Sequence, residues 1–146
     1  MIATYDAELE QIVQTVFVTM LHLEVERIEF DAPVHDECIT AAIRVAGSCE
    51  VEVNLILPRE VAILSAASML GLGLDEVTYD DQVEVAAELA NMIGGNLKSL
   101  LPSPSQLSIP TVTQQSSDQC LLPGDSLLWF VSADGPFAVR LSELAS

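Results

Sequence analysis

Apolar residues recur at three- and four-residue intervals at Leu9, Ile12, Val13, Val16, Phe17, Met20 and Leu21, which predicts an amphipathic helix over 6–22. The period then falls to two. Residues 24–30 alternate as a strand does, and Ile39, Ala41, Ile43 and Val45 alternate with Thr40, Ala42, Arg44 and Ala46. After Gly47-Ser48, Val51, Val53, Leu55 and Leu57 alternate with Glu50, Glu52 and Asn54, so 39–57 predicts a β-hairpin. Helical spacing returns with Pro58, which suits a first turn because its missing N–H leaves no bond unmade there. Val61, Ile63, Leu64, Ala67, Met69 and Leu70 carry this second helix to Gly71 and Gly73, which stop it near residue 70.

A third and longest helix is expected to start after Asp80 or Asp81, either of which can cap orphan N–H groups, and to run to about Leu101, where Pro102 and Pro104 forbid continuation. Beyond it, 106–113 reads as extended and 115–124 as a polar loop. Residues 127–132 and 137–141 flank the turn Asp134-Gly135 as a second hairpin. The order is helix, three strands, two helices, three strands. It predicts an α/β fold of the α+β type, one antiparallel-rich sheet with helices packed on it, rather than an alternating βα chain.

Composition narrows the class. Half of the 146 residues are apolar, enough for one domain with a substantial core, so 1–146 is expected to be a single unit. Residues 1–10 carry acids where a secretory signal would be basic, and the longest nearly apolar run, 61–74, is too short to span a bilayer. A cytoplasmic protein is expected. Five basic against 22 acidic residues give a net charge of −17, which repels phosphate backbones and anionic lipid alike, so neither nucleic acid nor membrane is an expected partner. Cys38, Cys49 and Cys120 lack any Cys-x-x-Cys spacing, and His22 and His35 stand far apart without companion ligands. Ordinary thiols and no metal site are expected.

The third helix carries two stripes. Ala86, Leu89, Ala90, Ile93, Leu97 and Leu100 share its core-facing side, and Glu84, Glu88, Asn91, Gly95 and Lys98 share the opposite one. Gly94 and Gly95 together cost such a helix about 2 kcal/mol against alanine, which something must offset. Two readings are open on periodicity alone. The polar stripe is a solvated outer face, with the glycines admitting a close-packed neighbour; or a carboxylate and an amide one turn apart point together from a rigid support, with Gly95 leaving room for a partner's backbone.

The run EVAAELANMIGGNLKSLLP, preceded by a Pro-led helix ending in MLGLGLDEV and followed by LSIPTVTQ, resembles the chemotaxis phosphatase family of CheX, CheC and FliY type. The hallmark Glu-x-x-Asn is matched by Glu88-Leu-Ala-Asn91, with the Met-Ile-Gly-Gly-Asn after it and a later Ser-Ile-Pro. The opening helix, with VFVTMLHLEVE, fits as well, so the likeness runs over nearly the whole chain. CheC-type members carry two such sites; the second helix here has none, which is the CheX-like condition. Glu84 stands where the family's extended motif has Asp or Ser. Glu8 and Gln11 repeat the carboxylate–amide spacing on the first helix without the surrounding motif and read as surface.

The resemblance implies hydrolysis of the aspartyl phosphate on a CheY-like receiver domain. By analogy Asn91 orients the attacking water and Glu88 pairs with the receiver's active-site lysine, with Glu84, Gly95 and Lys98 in the partner contact. The receiver would bring its own Mg²⁺, this chain would bind no cofactor, and the protein would be a homodimer. A neutral amide suits this chemistry, because a loose phosphoryl transition state needs a positioned water more than a strong base. A non-catalytic signalling module of the same fold is the alternative. A Cys or Ser nucleophile has no His base beside it in sequence.

Overall fold

A computed structural model of the chain describes residues 5–29, 37–47, 50–101, 105–121 and 127–144. Phe30, His35, Ser48, Cys49, Pro102, Pro104 and Gly124 fall outside the described residues. The first helix, α1 (Asp6–Leu21), buries Leu9, Val13, Val16, Phe17 and Leu21. It closes at His22, whose φ of 53° puts it in the left-handed region and lets its N–H reach the Val18 carbonyl. His22 is thus explained as a helix cap.

Strands β1 (Glu26–Ile28), β2 (Glu37–Ala46) and β3 (Val51–Pro58) follow, then α2 (Arg59–Leu70), a 3₁₀ turn at Leu74–Glu76 and α3 (Tyr79–Lys98). Pro58 ends β3 and serves as the N-cap of α2 rather than lying inside its first turn. The chain closes with β4 (Gln106–Leu107), β5 (Thr111–Ser116), a single helical turn α4 (Ser117–Cys120), β6 (Leu127–Ser132) and β7 (Gly135–Glu143).

All seven strands join one sheet in the order β1-β6-β7-β3-β2, with β4 and β5 sharing the outer edge of β2, and every pairing is antiparallel. The β2–β3 register sets Ile39 opposite Leu57, Ala41 opposite Leu55 and Ile43 opposite Val53. These residues line one face, on which α1, α2 and α3 bury their apolar stripes in a common core. Phe17 of α1 stacks on Phe137 of β7 at 4.5 Å between ring centroids. The alternate positions Cys38, Ile56, Trp129 and Ala138 form a smaller cluster on the opposite face. The fold is therefore α+β, one antiparallel sheet with helices packed on it.

Several local expectations need correction. The segment 106–113 is two strands, not one, because Ser108-Ile109-Pro110 interrupts the ladder where Pro110 has no N–H to give. Ser108 bridges the break: its backbone N–H donates to the Arg44 carbonyl and its Oγ accepts from the Arg44 N–H, each at 2.9 Å. Gln115 and Ser116, read as loop, belong to β5, where alternation was hidden by polar residues on an edge strand. The tight turn of the second hairpin is Ala133-Asp134, and Gly135, at φ 125°, already opens β7.

Candidate functional site

The candidate stripe is presented by α3. Its N-cap is Thr78, neither of the expected aspartates. Thr78 Oγ1 accepts from the Asp81 N–H at 3.1 Å, and Asp81 Oδ2 accepts from the Thr78 N–H at 2.9 Å, a reciprocal capping box. Val85, Ala86, Leu89, Ala90, Ile93 and Leu97 are buried, and α3 packs on β2 and β3 while touching both α1 and α2. Leu100 is 44% exposed and Leu101 is buried in its place, because the helix has ended at Lys98 and its angular spacing no longer applies.

On the far side, at 100° per residue, Glu84, Glu88, Asn91, Gly95 and Lys98 fall within an arc of about 80° and span about 21 Å of helix. Glu84, Glu88 and Asn91 are exposed, and Gly95 and Lys98 are half-buried. Their side chains make no hydrogen bond or ion pair with any described residue. Glu88 and Asn91 stand one turn apart, close enough for both to meet one small target. Asp80, Glu84 and Glu88 repeat like charges at four-residue spacing, which costs a helix a few tenths of a kcal/mol per pair, about 0.2–0.5. This face is not arranged for helix stability.

The two glycines divide the readings that periodicity left open. A Cβ on Gly94 would lie 2.9 Å from Ile43 Cγ2 and 3.1 Å from Leu107 Cδ1, so Gly94 lets α3 sit close on the sheet. A Cβ on Gly95 would meet no described atom within 4 Å. Packing within the chain therefore explains Gly94 and leaves Gly95 as an open notch beside Asn91. Glu8 and Gln11 are exposed on α1. The sequence reading passed over Gln82, which is buried in register with Val85 and Leu89; a polar residue in an apolar stripe was the available signal.

Among the described residues no group of His, Cys, Asp and Glu is placed to hold a metal ion, and no helix is long and apolar enough to cross a membrane. The described arrangement offers a free carboxylate, a free amide and a notch on one rigid helix. It can present polar groups to a partner that brings the reacting centre.

Comparison with known structures gives close likeness in fold at low identity. Over 93% of each chain, the structure is similar to the chemotaxis protein CheX from Vibrio vulnificus, with TM-score 0.75 and 16% identity. A CheC-like superfamily protein from Shewanella sp. PV-4 gives TM-score 0.73 and 15% identity, covering 99% of this chain and 100% of that one. CheX from Borrelia burgdorferi, solved as a CheX–CheY–BeF₃–Mg²⁺ complex, gives TM-score 0.71 and 17% identity, covering 97% and 98%. No curated protein matches by sequence. The family described as "Chemotaxis phosphatase CheX" matches residues 39–132, from β2 through α3 to the end of β6. With the whole of the two-stripe helix inside that match, the chain belongs to the chemotaxis phosphatase CheX family.

Proposed function

We propose that this protein hydrolyses the aspartyl phosphate of a CheY-like receiver domain docked on α3. Asn91 orients the attacking water, and Glu88 pairs with the receiver's active-site lysine. The observation that supports this most is the exposed pair Glu88 and Asn91, without a partner among the described residues, beside the open notch at Gly95. Glycine in a helix interior is unfavourable by about 1 kcal/mol, and no contact with a described residue requires it at Gly95. An approaching partner would.

The division of roles follows from charge. A carboxylate at Asn91 would repel the phosphoryl group, whereas a neutral amide holds a water in line without that repulsion. Glu88, one turn away, makes a charge-assisted hydrogen bond that fixes docking register. Glu84 and Lys98 extend the contact along the helix. Mg²⁺ is supplied by the receiver, as it is present in the Borrelia CheX complex with CheY. The protein works in the cytoplasm as a homodimer of single-domain chains.

The test is the lifetime of phosphorylated receivers encoded in the same genome. Wild-type protein shortens it for at least one receiver. Asn91→Ala lowers the stimulated rate by about 100-fold, the scale expected for one positioned polar group, with stability unchanged. Glu88→Ala weakens docking by about tenfold or more. No acceleration with any receiver sinks the proposal. Glu84, an extra exposed acid one turn before Glu88, favours a second reading in which the face docks a receiver without hydrolysis. Binding that survives Asn91→Ala, with wild-type protein giving no acceleration, would select it.

A further inference from the structure

A separate concavity of about 400 Å³ lies where β2 begins, bounded by β5 and by the first turns of α2 and α3. Cys38 and Ile39 are buried in its wall, and Ile63 and Val77 add apolar surface. Gln82 also lines it: the residue is 8% exposed and its side chain makes no hydrogen bond with any described residue. The amide is reachable from the cavity and unpaired among the described residues, so it is free to bond a ligand able to donate and accept.

Two exposed charges of opposite sign stand at the rim. Arg59 is the first residue of α2, whose N-cap Pro58 offers no side-chain cap, and among the described residues it has no ion-pair partner. Glu37 starts β2 and accepts a hydrogen bond from Gln114 Nε2. No ion pair joins Arg59 to Glu37, so both remain available. A guanidinium at a helix N-terminus attracts a carboxylate, and Glu37 attracts an ammonium group. With a net charge of −17 the protein repels simple anions, but a molecule carrying both charges has no net charge to repel.

We infer that this cavity binds a small zwitterion with an apolar side chain, of α-amino-acid to dipeptide size. The carboxylate meets Arg59, the ammonium meets Glu37, Gln82 supplies the directional hydrogen bond, and Ile39, Ile63 and Val77 take the side chain. The volume is in the range of small-molecule pockets. The site opens on the first turn of α3 at Gln82, whose buried side of the helix lies about 200° round from Glu84 and about 240° round from Glu88 at 100° per residue. It is therefore distinct from the proposed receiver contact.

Calorimetric titration of the whole chain tests this. The probes are alanine, valine, leucine, isoleucine, methionine, phenylalanine and leucyl-leucine, each in the L form. At least one is expected to bind with Kd of about 1 mM or tighter. Its amide, which lacks the carboxylate, and its deaminated acid, which lacks the ammonium, are expected to bind at least about tenfold more weakly. Arg59→Gln and Gln82→Met should each lose about tenfold in affinity with the urea midpoint retained; if Gln82→Met does not fold, Arg59→Gln decides. No binding by any probe overturns the inference, as does equal binding of the half-charged analogues or of Arg59→Gln. The readout is heat of binding, so the result stands whatever Asn91 proves to do.

Discussion

Replacing Gly95 with alanine adds a methyl group to open space and removes a helix-breaking residue, so Gly95→Ala is expected to raise stability by about 1 kcal/mol in urea unfolding. Gly94→Ala drives a methyl group against Ile43 and Leu107 and is expected to lower it by about 1–3 kcal/mol. If the notch admits a receiver, the stabilised Gly95→Ala variant should also lose receiver dephosphorylation. A second residue links to pH. Burial raises the Asp134 carboxyl pKa above its ordinary 3.8. The folded state then holds that proton more tightly than the unfolded one, and stability is lost as pH rises from 3.8 through the raised folded value. Asp134→Asn should therefore melt higher than wild type at pH 7, with the advantage fading as pH falls toward 3.8.

For α3 as an element, the cap is the first thing to test. Thr78→Ala removes the acceptor for the Asp81 N–H and should cost about 1 kcal/mol, read as a lower urea midpoint without change in slope. Thr78 was missed because two aspartates follow it closely, and any of the three can cap; only the backbone at Thr78, extended at φ −94° and ψ 170°, shows which one does. Strongly periodic elements were legible: α1, α3, β2 and β3 each bury one face, and burial imposes the period. By contrast α2 was placed correctly, but with Val61 it buries the small residues Ala62, Ser65 and Ala66, which a reading by large apolar side chains does not pick out. β5 was half-legible. Its residues, Thr111–Ser116, are mostly exposed on an edge, so no alternation in polarity marks them as a strand. The polar stripe of the candidate site was legible in position, because angular spacing alone puts Glu88, Asn91 and Gly95 on one side of α3. The reason for two consecutive glycines was not, since it depends on how near β2 and β4 approach.

At the scale of the whole molecule, charge acts on the fold itself. A net charge of −17 is self-repelling, and the described ion pairs involve only Arg27 and Arg44. Raising sodium chloride from about 0.01 to about 0.15 M shortens the screening length from about 30 to about 8 Å and should raise Tm. A fall in Tm would mean that the few ion pairs outweigh the repulsion. The sheet also divides the molecule, with helices on one face and the Cys38, Ile56, Trp129 and Ala138 cluster on the other. Trp129 is the chain's single tryptophan and is 4% exposed. Nature has thus placed one fluorophore on the far side of the sheet from α3. Its emission is expected to report whether the sheet is intact while standing apart from the polar face of α3, so optical unfolding curves of α3 variants can be compared directly.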